Sequence, residues 1–148
     1  MIARRLALAS LVATGALAFA GCAMTDSSSG RPMMMSTSMN VPLSARNEVP
    51  PNASTATGAA RLDLDGSVLK WTVTYSGVSG PVTAGHIHGP APAGANAGVV
   101  IPFSGTASPI TGSATLSAAQ LADLKAGLYY VNLHTAANPG GEIRGQIK

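Results

Sequence analysis

Three histidines are the residues in this sequence best suited to chemistry, and they are its only histidines. His86 and His88 flank Ile87, and His134 comes much later in the chain. Because side chains in a strand alternate between two faces, such a pair in a strand places both imidazoles on one face and Ile87 on the other. Imidazole is a ligand for copper, zinc and other transition metals. The spacing predicts a metal site, provided that the segment around His134 lies alongside.

The segment around His134 alternates in the same way. Its apolar face consists of Tyr129, Val131 and Leu133. Its polar face consists of Tyr130, Asn132 and His134. All three imidazoles are therefore expected away from the apolar face. Three neutral imidazoles with an open position suit copper best, with zinc the next candidate. The alternative is that the histidines form hydrogen bonds with loop backbone and hold one end of the fold together.

The elements that must position these histidines are short strands. Alternating runs are separated by Gly, Pro and Asn, and no long amphipathic helical pattern is present. This predicts an all-β fold, a Greek-key antiparallel β-sandwich of the immunoglobulin-like or superoxide-dismutase-like kind, with one short helix over 117–126 capped by Ser117. Outside the hairpin described next, strands are expected near 41–46, 82–88, 99–103, 111–116, 128–134 and 142–147.

The clearest hairpin covers 60–75. Asp65-Gly66 is predicted to form its two-residue turn, which would place Leu62 opposite Leu69. Trp71 is the only tryptophan and falls on the apolar face. It is therefore the expected centre of the core.

The N-terminus predicts export. Arg4 and Arg5 precede an apolar stretch over 6–20, which has the length of a signal-peptide core. The small residues before Cys22 resemble a bacterial lipobox, with 1–21 as the lipoprotein signal peptide and Cys22 as the lipidated residue. Ala23 resembles the outer-membrane sorting pattern, which implies a lipid anchor on the periplasmic side of the cell envelope. Ordinary signal-peptidase cleavage is the alternative.

Residues 22–40 have the composition of a Ser- and Met-rich tether, followed by one domain over 41–148. Every methionine after the signal lies in this tether: Met24, Met33, Met34, Met35 and Met39. Thioethers are soft ligands that suit Cu(I). A low-complexity tether under weak constraint is the alternative interpretation. Cys22 is the only cysteine, so the domain has no internal disulfide and no thiolate ligand.

Charge argues against nucleic acid as a partner. The net charge of +3 comes from nine basic and six acidic residues, and two of the basic residues are Arg4 and Arg5 of the signal. No basic cluster remains in the rest of the chain. No nucleophile elbow or pair of catalytic carboxylates is visible, so no catalytic residue is assigned and enzymatic activity is left open.

Two carboxylates and one arginine complete the candidate residues. Glu142 and Arg144 share a strand face, and Glu48 is the remaining isolated carboxylate. A Glu48–Arg144 or Glu142–Arg144 pair has two interpretations: a surface ion pair worth under ~1 kcal/mol, or support around the metal.

Five motifs, in order, resemble the CHRD (chordin) domain: 47–51 (NEVPP), 75–78 (YSGV), 86–90 (HIHGP), 130–135 (YVNLHT) and 141–146 (GEIRGQ). The resemblance covers nearly all of 41–148. It assigns no chemical activity, since the family name comes from an extracellular growth-factor-binding protein of animals.

A weaker resemblance concerns the histidine pattern, which is similar to the copper site of Cu,Zn superoxide dismutases. In those enzymes an HxH pair and a late-strand histidine hold copper, which would correspond to His86, His88 and His134. The bridging histidine, the zinc ligands and the disulfide cysteines have no counterparts here. Arg144 falls roughly where dismutases place an anion-guiding arginine.

Three functions are open at this point. The first is an exported, lipid-anchored protein that sequesters or hands on copper. The second is a copper-only, dismutase-like enzyme. The third is a metal-free extracytoplasmic binding or structural module. The sequence indicates no particular protein partner.

Overall fold

The computed structural model describes residues 36–148, which form eight strands, a short 3-10 turn and one α-helix. These are β1 (Thr37–Ser44), the 3-10 turn Ala45–Asn47, β2 (Thr57–Asp65), β3 (Val68–Ser76), β4 (Val82–His88), β5 (Val99–Pro102), β6 (Ile110–Thr115), α1 (Ala118–Lys125), β7 (Tyr130–Thr135) and β8 (Ile143–Gln146). The predicted all-β class with one short helix is confirmed. The predicted signal peptide, Cys22 and most of the predicted tether lie outside the described residues. Within 36–148, no helix is long and apolar enough to cross a membrane.

The strands pair antiparallel in the order β5-β4-β7-β8-β1-β2-β3-β6. β8 and β1 share a single register pair, Ser44 with Arg144, so the sheet bends there into two four-stranded halves. Trp71 of β3 stacks on Phe103, which follows β5, with 5.3 Å between ring centroids. Because β3 and β5 belong to different halves, the halves face each other across one core, and the layers of the sandwich are two halves of one continuous sheet.

The hairpin of β2 and β3 has the predicted faces but a different register. Leu62 pairs with Trp71 and Leu64 with Leu69, so the turn is formed by Gly66 and Ser67 rather than by Asp65 and Gly66. Gly66 has φ +59°, which its lack of a Cβ permits. In the predicted register Asp65 would occupy the first central position of the turn, where φ is positive. The shift is two residues, so every side chain keeps its face.

The folded domain begins earlier than its predicted start at 41. β1 starts at Thr37, so 37–40, assigned above to the tether, pair with β2. Met39 is opposite Leu62 and packs, partly buried, against the core. The prediction that the folded domain contains no methionine is therefore wrong. The remaining tether methionines precede the described residues.

Trp71 lies in the core as predicted and is 5% exposed. Its indole ring packs flat against Gly112 of the neighbouring strand β6, where an added Cβ would lie 2.3 Å from Cζ2. A glycine is therefore required opposite the tryptophan. At the other end of β6, α1 begins with the predicted cap, in which the Ser117 hydroxyl accepts a hydrogen bond from the Gln120 amide at 3.2 Å.

Candidate metal centre

The outer face of β4, β7 and β8 carries a layer of buried polar side chains. In most sandwiches such a face is solvated, but here loops cover it. Asn96 of the loop after β4 donates to the Val49 carbonyl in the loop after β1 at 2.8 Å, which ties the two covering loops together. The polar and charged side chains buried in the domain are Glu48, His88, Asn132, Thr135, Glu142 and Arg144.

The pairing of β4 with β7 brings the three histidines together. His86 is directly opposite Asn132, and His88 is opposite Tyr130. His134 lies two residues beyond Asn132, so it is the diagonal neighbour of His86 on the same face. One ring nitrogen from each histidine lies within 4.8 Å of one from each of the others. The predicted convergence of the three imidazoles is confirmed.

Backbone carbonyls fix how two of these rings present their nitrogens. His88 Nδ1 lies 3.1 Å from the Ala97 carbonyl, and His134 Nδ1 lies 3.0 Å from the Pro139 carbonyl. A carbonyl only accepts, so each Nδ1 carries the proton and each Nε2 is left with its lone pair. Carbonyl partners of this kind orient histidine ligands in metal sites. The sequence interpretation that loop backbone binds the histidines is thus compatible with metal ligation.

The two freed nitrogens have different surroundings. His134 Nε2 lies 3.1 Å from His86 Nδ1. His88 Nε2 is buried and has no hydrogen-bond partner within 36–148. Leaving such an atom unsatisfied costs roughly 1–3 kcal/mol. The site therefore contains a lone pair with no protein donor to satisfy it.

All three imidazoles are biased towards the neutral form. Burial lowers the pKa of His86, His88 and His134 below the ordinary value of 6.5. Mutual repulsion between the rings adds to this for His86 and His88. The neutral form is the one that binds metal, so at neutral pH no proton has to be displaced from the ligand nitrogens.

A stack of aromatic and cationic groups supports His88. Its ring lies parallel to that of Tyr130, with 4.9 Å between centroids and 4° between planes. The Arg144 guanidinium lies over the Tyr130 ring, with Cζ 3.4 Å from the ring centroid. The Tyr130 hydroxyl accepts from the Ala97 amide at 3.0 Å, which places the loop that binds His88 Nδ1. Arg144 is 1% exposed, so it is not the solvent-facing cation that the dismutase hypothesis requires.

Glu48 is linked to the histidine face by Asn132, which was predicted on the polar face of its strand but was not assigned to the site. Asn132 Nδ2 donates to both carboxylate oxygens of Glu48, at 3.0 and 2.9 Å. Burial raises the pKa of Glu48 to about 7, although the positive charge of Arg144 and the Asn132 hydrogen bonds act in the opposite direction. The surface-pair interpretation is wrong, because Glu48 and Arg144 are both buried and form no salt bridge within the described chain.

Glu142 belongs to a separate cluster. Its carboxylate accepts from the hydroxyls of Ser54, Ser79 and Thr135 at 2.7, 2.7 and 2.6 Å, and from the Ser79 amide at 2.8 Å. Burial raises its pKa, but these hydrogen bonds outweigh burial and lower the pKa to about 2. Glu142 is therefore ionised. It anchors the loops on both sides of it rather than pairing with Arg144.

Comparison with known proteins adds the family. The CHRD domain matches residues 39–147, which is most of the chain. The protein belongs to the CHRD domain family. Searches of curated proteins and of solved structures gave no match.

The CHRD motifs quoted above account for much of the polar layer. They supply Glu48, the HxH pair, the strand that ends in His134, and the segment with Glu142 and Arg144. Other members of the layer, Ser54, Ser79 and Asn96, lie outside these motifs and were missed. Isolated serines and asparagines in loops carry no pattern that distinguishes a buried hydrogen-bond partner from an exposed one.

Proposed function

We propose that this CHRD domain binds a single transition-metal ion through His86, His88 and His134, with copper as the preferred ion and zinc the next. The nitrogens assigned as ligands are Nε2 of His88 and His134, whose lone pairs the carbonyl contacts leave free, and Nδ1 of His86, which lies 3.1 Å from His134 Nε2 and would hand its place in that contact to the ion. The observation that carries the proposal is the buried, unpartnered His88 Nε2 beside two further imidazoles. An ion would satisfy it.

The donor set favours copper over harder ions. Three imidazoles and no thiolate suit copper and zinc, and copper binds such sets more tightly than zinc does. Metal–nitrogen bonds of about 2.0 Å allow ligand nitrogens to be at most about 4 Å apart. Ion binding would therefore have to shorten the present separations of up to 4.8 Å by about 1 Å. A metal bound there would be held by neutral ligands beneath the covering loops.

We infer that the role is copper sequestration or transfer in a bacterial cell envelope, with Cys22 lipidated and the protein on the periplasmic side. The support is the sequence of 1–40, in which a segment that resembles an export signal and a lipobox is followed by a Met-rich stretch with the composition of a tether. Thioethers in that tether would supply a soft Cu(I) site in addition to the imidazole site.

Isothermal titration of the purified, metal-free protein with Cu(I), Cu(II) and Zn(II) tests the proposal. We expect one copper per chain at the domain, a raised melting temperature, and loss of both effects in the His86→Ala/His88→Ala/His134→Ala variant. Circular dichroism checks that this variant is folded. Because the tether could bind Cu(I) by itself, a matched variant with Met24, Met33, Met34 and Met35 changed to Ala separates the two sites.

Two outcomes would reject the proposal. One is stoichiometric copper binding by the variant without tether methionines that survives the triple histidine substitution. The other is a melting temperature unchanged by any of the three ions, which is what the metal-free module predicts. Superoxide removal by the copper-loaded protein, lost in His134→Ala, would instead support the dismutase-like alternative.

A further inference from the structure

A second candidate site is a cleft that shares Glu48 and Arg144 with the surroundings of the histidines. It has a volume of about 580 Å³ and is lined by β1, the turn that follows it, the loop after β4, and the C-terminal segment. Its charged lining consists of Arg46, Arg144 and Lys148 with a single carboxyl, Glu48. Its apolar wall includes Val49 and Pro51. The three histidines do not line it.

The charge of Arg144 is the reason to expect a ligand there. The side chain is 1% exposed, and all its contacts are neutral: Asn96 Oδ1 at 2.9 Å, the Ala95 carbonyl at 2.6 Å and the Tyr130 ring at 3.4 Å. Within 36–148 the only ion pair is between Arg61 and Asp63, on the surface. Buried charges are normally paired with an opposite charge. Glu48 acts on Arg144 electrostatically, but the two side chains do not form an ion pair. Arg144 is therefore a buried cation at a cleft, and its charge is not neutralised by direct contact with an anion.

We propose that this cleft binds a small organic acid, with the carboxylate held by the exposed Arg46 and Lys148 and attracted by the buried charge of Arg144, and the apolar body against Val49 and Pro51. The volume falls in the range of roughly 300–1,000 Å³ usual for small-molecule sites. Guanidinium groups match the planar, two-oxygen geometry of a carboxylate. The mixed lining selects a ligand with one charged end and one apolar end. Inorganic anions match only the charged part of the cleft lining.

Hexanoate is a suitable probe. The protein is stripped of metal with a chelator, the chelator is removed, and hexanoate binding is measured by the ¹⁵N chemical shifts of the backbone amides. We expect saturable shifts at the amides of Arg46, Glu48 and Gly94 and none at the histidines. Hexanol, which lacks the charge, and inorganic phosphate, which lacks the apolar body, should bind at least about tenfold more weakly. The protein carries no metal in this experiment, so its outcome does not depend on the histidine proposal.

Exposed cations provide variants that keep the fold. Arg46→Gln and Lys148→Gln should each weaken hexanoate binding by about two- to fivefold, the effect expected of solvent-exposed charges. Lys125→Gln, an exposed cation on α1, is the matched control and should change nothing. Equal binding of hexanoate by the Arg46→Gln/Lys148→Gln protein would overturn the proposal. Equal binding of hexanol or of phosphate would overturn the organic-acid assignment.

Discussion

Glu48→Gln tests whether the polar layer is as dry as the structure indicates. Glu48 is 5% exposed, and burial raises its pKa to about 7 from an ordinary value of 4.5. Between these two pH values the folded protein holds a proton that the unfolded chain releases. The stabilising effect of holding this proton on Glu48 is therefore fully present below pH 4.5 and is lost as the pH rises through 7. At about 1.4 kcal/mol per pH unit, the loss amounts to about 3 kcal/mol.

The assay is urea unfolding of the metal-free protein at several pH values between 4 and 8, with the free energy of unfolding compared between wild type and Glu48→Gln. Glutamine cannot ionise, so the variant lacks this loss. The histidines have lowered pKa values and change stability in the opposite direction, but they do so in both proteins and cancel in the difference. The stability of wild type relative to the variant should fall by about 3 kcal/mol across this range. A difference that stays constant, or rises with pH, would refute the burial argument.

Three further predictions concern packing, the second carboxylate and the metal site. Gly112→Ala places a methyl group against the Trp71 ring and should lower the free energy of unfolding by about 1–3 kcal/mol in urea titrations, whereas Gly80→Ala, with open space around it, should not; equal effects would contradict the packing account. Glu142→Gln should lower the free energy of unfolding by about 2 kcal/mol at pH 7, because a charged acceptor of four hydrogen bonds is lost. Since folding lowers the pKa of Glu142, this contribution is present above pH 4.5 and should vanish towards pH 2. A destabilisation that persists at pH 2 would count against this account. Copper affinity, measured by titration at pH 4–8, should stay constant down to about pH 6.5. At pH values below the lowered pKa values of the histidines it should decrease, because protons compete for their nitrogens. A decrease that begins above pH 7 would mean that other groups bind the metal.

Local patterns were enough to predict the elements and their faces. Period-two alternation depends only on neighbouring residues, so it placed His86 and His88 together on the polar face and Trp71 on the core face. The same reasoning failed by two residues in the register of the β2–β3 hairpin, because two adjacent turns preserve the same faces. The registers differ in which residue takes the first central position of the turn, where φ is positive: Gly66 in the structure and Asp65 in the prediction.

The burial of the polar layer could not be predicted in this way. Asn132 and Glu48 are 84 positions apart, and Arg144 and Asn96 are 48 apart, yet each pair is in contact. Whether a charged residue on the outer face of a strand meets water or a covering loop depends on where the loops of other strands fall.

The sequence by itself therefore determined that this is an all-β CHRD-type domain with three histidines on one side of its strands. The tertiary structure decided which nitrogens of those histidines are free and which charges lie buried without an opposite charge. It did so because hydrogen-bond partners and solvent exposure arise from contacts between segments that are distant along the chain, and no local pattern encodes them.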